Sequence, residues 1–344
     1  MKIVKYVIVA LLSISILAGC GTSQSTGSSG NSSSEKENTL SGTLNFYTSQ
    51  PDMDQQKLVA AFNKKYPEVK VNVFRSGTED VMSKIQAEKK SGNVQADVLL
   101  LADAVTFETL KDEDLLLAYK SKQAADFPKE LVDADGYYTG TKVMATALAI
   151  NTNKVKETPD SWDVLTDSKT KGQAIMPSPL YSGAAAYNLG VFTRDDALGW
   201  DFYKELKKNQ ITVVQGNGDV LKAVASGNKA YGMVVDFVVA NAAKQGSPIK
   251  LIYPSEGSPV ITEPIGIMKN AKNEKAAKAF VDFVLSKEGQ VLASSLGYTP
   301  IRPGVQAPEG LKNIDELNVL NAEIKQLNES RSADKEQFTN VFGK

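Results

Sequence analysis

Segments with strand character and segments with helix character alternate along most of this 344-residue chain, and no other feature constrains its fold as strongly. Alternating, β-branched or aromatic residues predict strands at Leu44–Thr48 and Val69–Val73. Ala96–Leu101 is apolar apart from Asp97, as in a parallel strand that is covered on both faces. Helical patterns such as the one that begins at Asp52 separate these strands. The alternation predicts an α/β fold with mostly parallel sheets flanked by helices.

The size and charge of the chain limit its architecture and its partners. A globular part of about 300 residues is too large for one small core, which predicts two lobes. Lys and Arg number 39 against 40 Asp and Glu, so the formal net charge is -1. Because no basic stripe can hold a phosphate backbone, we predict that nucleic acid is not a partner.

The chain contains no histidine and a single cysteine, Cys20. This composition excludes Ser-His-Asp and Cys-His catalytic arrangements and every metal site with a histidine ligand. A metal would have to be a hard ion held by oxygen atoms of Asp, Glu or Tyr. We therefore predict no catalytic residue, no cofactor and no metal site, and we do not expect an enzyme.

The N-terminus has the three regions of a secretion signal. Lys2 and Lys5 precede an apolar run, Tyr6–Ala18, that is too short for a comfortable membrane span. Leu17–Cys20 resembles the lipobox of bacterial lipoproteins, which implies cleavage after residue 19, a lipid on Cys20 and attachment to the outer face of the cell membrane. The alternative for Cys20 is a buried, inert thiol. Residues 20–42, rich in Ser and Gly, predict a flexible linker.

Four stretches between residues 43 and 305 resemble the solute-binding proteins of ABC importers. They are Thr43–Ser49, Ser76–Val98, Pro159–Gly172 and Ala276–Arg302, the last with the sequence Gly-Tyr-Thr-Pro-Ile-Arg at its end. Within that family, the chain is most similar to the group named for ferric iron, thiamine, and organophosphate or phosphonate binding.

The resemblance implies a fold of the type II periplasmic-binding-protein class, with two α/β lobes that close on a solute in the cleft between them. It implies lobe 1 at 43–147 plus 256–305 and lobe 2 at 148–255. The implied partners are a small solute and the transmembrane subunits of an ABC permease, and we expect a monomer. Residues 306–344 are predicted to form a helical tail on the outside, because Leu311, Ile314, Leu317, Leu320 and Ile324 have helical spacing.

Small hydroxyl residues stand just before three predicted helices: Thr48 and Ser49, Ser76 and Thr78, and Ser182. A helix N-terminus carries unpaired N–H groups and a partial positive charge, so it binds anions well. Loops at the carboxyl ends of strands in an α/β sheet are also where ligands collect. Each residue alone is better explained as an ordinary helix cap. Together they predict a small organic anion that carries phosphate or phosphonate.

Other solutes and another class of protein remain open. Iron-binding relatives carry adjacent tyrosines where this chain has Asp236 and Phe237, although Tyr181, Tyr187 and Tyr253 could supply oxygen. Asp236 either accepts hydrogen bonds from the ligand or caps the helix that follows. Thiamine or its phosphates, and a secreted hydrolase with paired carboxylates, are further alternatives. The candidate ligand-binding residues are Thr48, Ser49, Ser76, Thr78, Tyr181, Ser182 and Asp236.

Overall fold

The computed structural model describes residues 40–343, which belong to one compact unit. The predicted signal at 1–19, Cys20 and the linker up to residue 39 lie outside the described residues. The first strand begins at Gly42 rather than after it, because the backbone there already pairs with Val69.

Strands and helices alternate as the sequence predicts. The strands are β1 (Gly42–Thr48), β2 (Val69–Arg75), β3 (Val98–Leu100), β4 (Leu116–Leu117), β5 (Tyr138–Asn151), β6 (Ala174–Pro177), β7 (Thr212–Val214), β8 (Tyr231–Val235), β9 (Ile249–Ile252), β10 (Ser258–Met268), β11 (Thr299–Pro300) and β12 (Val319–Leu320). The α-helices are α1 (Asp52–Lys65), α2 (Thr78–Lys90), α3 (Ala104–Asp112), α4 (Gly183–Arg194), α5 (Gly199–Lys208), α6 (Asn217–Ala225), α7 (Asp236–Lys244), α8 (Glu274–Leu285), α9 (Lys287–Ser295) and α10 (Ile324–Phe342).

The sheet follows the order β2-β1-β3-β10-β5-β8-β6-β7. At one end β1 pairs in parallel with β2 and β3, and at the other end β6 pairs in parallel with β7 and β8. The two long strands between them, β5 and β10, pair antiparallel with each other and with their outer neighbours. The predicted α/β class is confirmed, whereas the antiparallel centre was not anticipated.

Strand β5 joins the two lobes. Its residues up to Ala145 pair with β10, and from Thr146 onward they pair with β8 and β9. We use lobe 1 for the part built on β1 to β4, β10 and β11, and lobe 2 for the part built on β6 to β9. Each lobe has its own apolar core, around Phe46 and Phe280 in lobe 1 and around Trp162 in lobe 2. The lobe boundaries at 147–148 and 255–256 stay predictions.

The C-terminal tail differs from the prediction. Leu311–Leu320 is not an α-helix: it holds one 3₁₀ turn, Ile314–Glu316, and the short strand β12. The helical tendency that the spacing indicates is overridden by tertiary contacts, because the β12 backbone pairs with Ser258 at the start of β10. Helix α10 does form, but it is not an outer appendage, since Phe338 is fully buried in the core of lobe 2.

Among residues 40–343, no helix combines the length and the apolar character that crossing a membrane requires.

Candidate ligand-binding site

A cavity of about 440 Å³ is lined by residues of both lobes. Lobe 1 contributes the ends of strands and the helix starts that follow them, and lobe 2 does the same from the opposite side. The lobe 1 lining includes Ser49, Pro51, Arg75, Gly77, Thr78, Ala102, Glu263 and Tyr298. The lobe 2 lining includes Tyr181, Ser182, Gly183, Gln215, Gly216, Asn217, Asp219, Val235 and Phe237.

Five α-helices begin at this cavity. The residues that precede the first turns of α1, α2, α4, α6 and α7 all line it; they are Pro51, Gly77, Ser182, Gly216 and Val235. Of these five, Ser182 alone caps its helix with a side chain, accepting from the Ala185 N–H at 3.3 Å. The other four helices start without such a cap. Their N-terminal ends direct partial positive charge toward one cavity. Two of their N–H groups are already bonded: that of Phe237 in α7 to the Asp236 carboxylate and that of Glu79 in α2 to the Tyr181 carbonyl.

Four of the predicted residues line the cavity: Ser49, Thr78, Tyr181 and Ser182. Thr78 is the first residue of α2 rather than its cap, because Gly77 occupies the cap position. The Thr78 side chain is 1% exposed, and its hydroxyl oxygen has no hydrogen-bond partner among the described residues. A buried hydroxyl without a partner costs free energy, so this group is suited to a ligand that supplies one.

Two predicted hydroxyl residues lie outside the lining. The Thr48 hydroxyl donates to the Leu100 carbonyl at 2.9 Å and accepts from the Gln50 N–H at 3.1 Å, so it holds β1 to β3 and shapes the loop after β1. The Ser76 hydroxyl donates to the Asp80 carboxylate at 2.7 Å near the start of α2. Both hydroxyls therefore have structural partners within lobe 1.

Asp236 also lies outside the lining, and it is the first residue of α7, whose cap position is occupied by Val235. It is 2% exposed, and its carboxylate accepts from the Phe237 N–H at 2.8 Å and from the Tyr253 hydroxyl at 3.0 Å. Burial raises the pKa of Asp236 to about 6, against the lowering effect of the Tyr253 hydroxyl and of backbone N–H groups that include Ala145. Since Ala145 is where β5 passes between lobes, Asp236 ties α7 to the crossing strand.

A polar network at the cavity wall was missed from the sequence. The Lys142 ammonium forms a buried ion pair with Glu263, and it lies 4.6 Å from the centre of the Tyr298 ring. The Tyr298 hydroxyl donates to the Asp54 carboxylate at 2.7 Å. Burial raises the pKa of Asp54, although this hydrogen bond and Lys142 oppose the shift. The lysine at the start of the otherwise uncharged stretch Lys142–Ile150 was the signal that could have identified this network.

Arg75 and the loop before α6 complete the lining. The Arg75 Nε donates to the Gln50 carbonyl at 2.8 Å, and the nearest carboxylate oxygen, on Asp52, is 4.0 Å away. In the loop, the Asn217 side chain donates to the Ser182 hydroxyl at 3.4 Å and accepts from the Val235 N–H at 3.2 Å. Asn217 thus holds the starts of α4, α6 and α7 together, and the Gly-Asn-Gly sequence before an apolar helix was its only signal.

The tyrosines proposed as metal ligands are differently placed. Tyr187 is buried outside the lining, and burial raises the pKa of its hydroxyl to about 12. The Tyr253 hydroxyl donates a hydrogen bond to Asp236. Tyr181 and Tyr298 do line the cavity, but burial and the nearby Glu263 and Asp54 raise the pKa of Tyr298 well above its usual value.

Comparison with known proteins identifies the class of protein that this fold and cavity define. The chain belongs to the family described as bacterial extracellular solute-binding protein, because residues 57–318, more than half of its length, match that family. The predicted resemblance to solute-binding proteins is therefore confirmed, and so is the extracytoplasmic setting that the family description states.

Individual relatives carry different names. An uncharacterized protein of Haemophilus influenzae is 30% identical over 74% of this chain and 76% of its own length. Iron uptake protein A1 of Synechocystis is 24% identical over 80% of each chain. A putative 2-aminoethylphosphonate-binding periplasmic protein of Salmonella typhimurium is 26% identical over 63% of this chain and 66% of its own length.

The fold is also that of a solved binding protein. The periplasmic binding protein AfuA of Actinobacillus pleuropneumoniae, solved with exogenous fructose-6-phosphate bound, superposes with a TM-score of 0.81. The match covers 88% of this chain and 98% of AfuA at 24% identity. It confirms the predicted two-lobed periplasmic-binding-protein fold.

Proposed function

We propose that this protein is the receptor of an ABC importer and that it captures a small organic solute bearing a phosphate or phosphonate group. The observation that carries the proposal is the convergence of five helix N-termini, four of them without a side-chain cap, on one cavity shared by both lobes. In this role the protein binds and releases its solute and makes or breaks no bond.

The anion is best accommodated near the start of α2. There the unpartnered Thr78 hydroxyl, the uncapped helix start at Gly77 and the Arg75 side chain line the same volume. A favourably placed helix N-terminus stabilises a negative charge by about 0.3 to 2 kcal/mol. Hydrogen bonds to a charged group contribute about 1.5 to 3 kcal/mol each. These magnitudes suffice for a specific site for one phosphate group.

The rest of the cavity favours the non-anionic part of the solute. Asp219 and Glu263 both line it, so a hydroxyl or ammonium group has carboxylates to donate to, although Glu263 also pairs with Lys142. A second anionic group close to Asp219 would be repelled. Sugar phosphates and aminoalkylphosphonates have this division of charge, and a cavity of about 440 Å³ is in the usual size range for such ligands.

Ferric iron is the second candidate, because relatives are named for iron uptake. A ferric ion requires deprotonated tyrosine oxygens or other hard donors. Here the Tyr298 hydroxyl donates a hydrogen bond to Asp54, the Tyr253 hydroxyl donates one to Asp236, and Tyr187 is outside the lining. Tyr181 is left as the accessible phenol of the cavity, which favours the organic anion over iron.

The N-terminal features complete the proposed role. A signal at 1–19, a lipid on Cys20 and a Ser- and Gly-rich linker would hold a monomeric receptor at the outer face of the membrane, beside its permease. Mass spectrometry of protein extracted from cell membranes tests this part: a diacylglycerol mass on an N-terminal Cys20 is expected, and an unmodified N-terminus at Met1 would contradict it.

The solute class is tested by thermal unfolding of residues 39–344 with fructose 6-phosphate, 2-aminoethylphosphonate, thiamine phosphate and ferric citrate. A ligand at about a hundred times its Kd adds roughly 2.7 kcal/mol, which raises the melting temperature by several degrees. We expect a shift with a phosphate or phosphonate solute. A shift with ferric citrate alone would favour the iron receptor, and consumption of any solute during incubation would favour a hydrolase.

A further inference from the structure

Two glycines lie where the lobes meet beside the cavity. Residues 77–79 and Ala102 of lobe 1 contact residues 181–183 of lobe 2, and we call this contact the glycine seam. The Glu79 N–H donates to the Tyr181 carbonyl at 3.2 Å across it. Because Gly77 offers no side-chain cap, the start of α2 takes a backbone acceptor from the other lobe.

The seam has no room for a side chain at either glycine. A Cβ atom on Gly77 would lie 2.6 Å from the Tyr181 carbonyl oxygen and 2.7 Å from its ring. A Cβ atom on Gly183 would lie 2.7 Å from the Thr78 hydroxyl oxygen and even closer to the Ala102 carbonyl oxygen. Real Cβ atoms essentially never approach other atoms closer than 3.0 Å.

Backbone conformation does not explain these glycines. Neither Gly77 nor Gly183 has a positive φ; Gly77 has φ -61° and ψ 155°, which any residue adopts. Within each lobe taken alone, the obstructing atoms are absent, since those facing Gly77 belong to lobe 2 and those facing Gly183 belong to lobe 1. A side chain at position 77 or 183 would therefore clash only when the two lobes are in contact.

We propose that Gly77 and Gly183 are positioning residues for lobe closure: they allow the start of α2 to dock on residues 181–183 and so complete the closed receptor. This inference rests on the proposed role as a receptor that closes on its solute. An alanine at either position is compatible with separated lobes but opposes their closure. The docking also brings Thr78 and Ser182 to the same cavity.

The test measures closure directly, by electron–electron distance spectroscopy between spin labels on Lys57→Cys in α1 and Lys222→Cys in α6. Both lysines are exposed, and they belong to different lobes. Residues 39–344 contain no other cysteine, so the labels are unique. Distances and melting temperatures are recorded for the wild type, Gly77→Ala and Gly183→Ala, each with and without fructose 6-phosphate as probe.

Gly218→Ala is the matched control for closure. It adds the same methyl group to the first turn of α6 in the cavity wall, where a Cβ atom meets nothing within 4 Å. Because Gly218 lines the cavity, the control is compared without probe, where we expect it to reach the wild-type distances. We expect Gly77→Ala and Gly183→Ala to lower the ratio of closed to open molecules at least about tenfold in every condition, with melting temperatures without probe close to that of the wild type.

Two results would overturn the inference. One is a closed population in both variants equal to that of the wild type. The other is a large fall in melting temperature without probe, which would mean that the seam is a permanent contact of the fold. If fructose 6-phosphate does not change the label distances of the wild type, the proposed solute class is in doubt. The role of the two glycines is still tested, by comparing the closed populations of the variants and of the wild type without probe.

Discussion

At the residue scale, Thr78 holds the strongest single indication of a ligand. Its hydroxyl is buried, borders the cavity and has no partner among residues 40–343. Burying a polar group without a hydrogen bond destabilises a fold by about 1 to 3 kcal/mol. A phosphate oxygen at this position would give the hydroxyl an acceptor and would also lie at the uncapped start of α2.

Thr78→Val should therefore separate binding from stability. Valine keeps the shape and removes the hydroxyl, so the affinity for the best phosphorylated solute should fall about 10- to 100-fold. The melting temperature without solute should stay the same or rise, because an unpaired polar group has been removed. Calorimetric titration and thermal unfolding measure the two effects. Thr43→Val, on an exposed position of β1, is the control, and an unchanged affinity in Thr78→Val would contradict the assignment.

Asp236 predicts a pH dependence of stability. Burial raises the pKa of Asp236 to about 6, so between about pH 4 and pH 6 the folded protein retains a proton that the unfolded chain has released. The stabilisation from this group is therefore complete below about pH 4 and is lost as the pH rises through 6.

Asp236→Asn should remove that dependence. The free energy of unfolding of the wild type relative to the variant should fall by about 2 to 3 kcal/mol between pH 4 and pH 7. Urea unfolding across this range measures it, with Asp315→Asn at an exposed position as the control. A difference that does not change with pH would mean that Asp236 is ionised throughout.

Whether the sequence alone can identify a binding residue depends on which other groups of the protein its side chain can hydrogen-bond. Placing Ser49, Thr78, Tyr181 and Ser182 near one site needed only strand ends and helix starts, which local patterns indicate. Thr48 and Asp236 occupy similar places, but Thr48 bonds to Leu100 of β3, and Asp236 bonds to Tyr253 just after β9 and to the Ala145 backbone of β5. Those partners are set by tertiary packing, so no local pattern could exclude the two residues.

At the scale of elements, α10 connects the two lobes. Arg331 donates to both oxygens of Asp103 at 3.1 and 3.0 Å and to Glu79 at 2.9 Å, all on lobe 1. Phe338, seven residues on, is buried in the core of lobe 2. Although burial alone would raise the pKa of Glu79, Arg331 and Lys335 lower it. Helix α10 therefore binds the carboxylate of Glu79. The backbone N–H of the same residue donates to the Tyr181 carbonyl in the glycine seam.

Arg331→Met should destabilise the protein by about 3 to 5 kcal/mol, because it leaves Asp103 and Glu79 buried with too little compensating charge. Urea unfolding at neutral pH measures the loss. Lys325→Met on the same helix is the matched control: its ion pair with Glu329 is 3.9 Å long and largely exposed, so a change within about 0.5 kcal/mol is expected. Equal effects of the two substitutions would contradict the bridging role of α10.

In the C-terminal tail, residues 306–344, hydrophobic periodicity did not predict the secondary structure correctly. The spacing of leucines and isoleucines suggested a helix over residues 311–324, yet the α-helix begins at Ile324. The chain before it forms only the 3₁₀ turn Ile314–Glu316 and the strand Val319–Leu320. The pairing of Val319 with Ser258 joins positions far apart in the chain, and an amphipathic pattern carries no information about such a partner. Helices with continuous patterns and clear ends, such as α1 and α8, were predictable.

At the scale of the whole molecule, two lobes on one sheet bring helix starts from opposite sides to a single cavity. Each helix start alone is a weak anion site, and separate lobes would leave each one in water. Closure lowers the local dielectric and strengthens every charge interaction with the solute. The family resemblance predicted this arrangement, whereas the glycine seam required knowing which backbones come within contact.

The measurement that tests the account most directly is a calorimetric titration of residues 39–344 with two matched solutes. One is the phosphate or phosphonate solute that gives the largest thermal shift, and the other is the same compound without that group. The account predicts that removing the group weakens binding at least about 100-fold, or roughly 2.7 kcal/mol. Equal affinity for the two compounds, or binding of ferric iron with no binding of either, would contradict it.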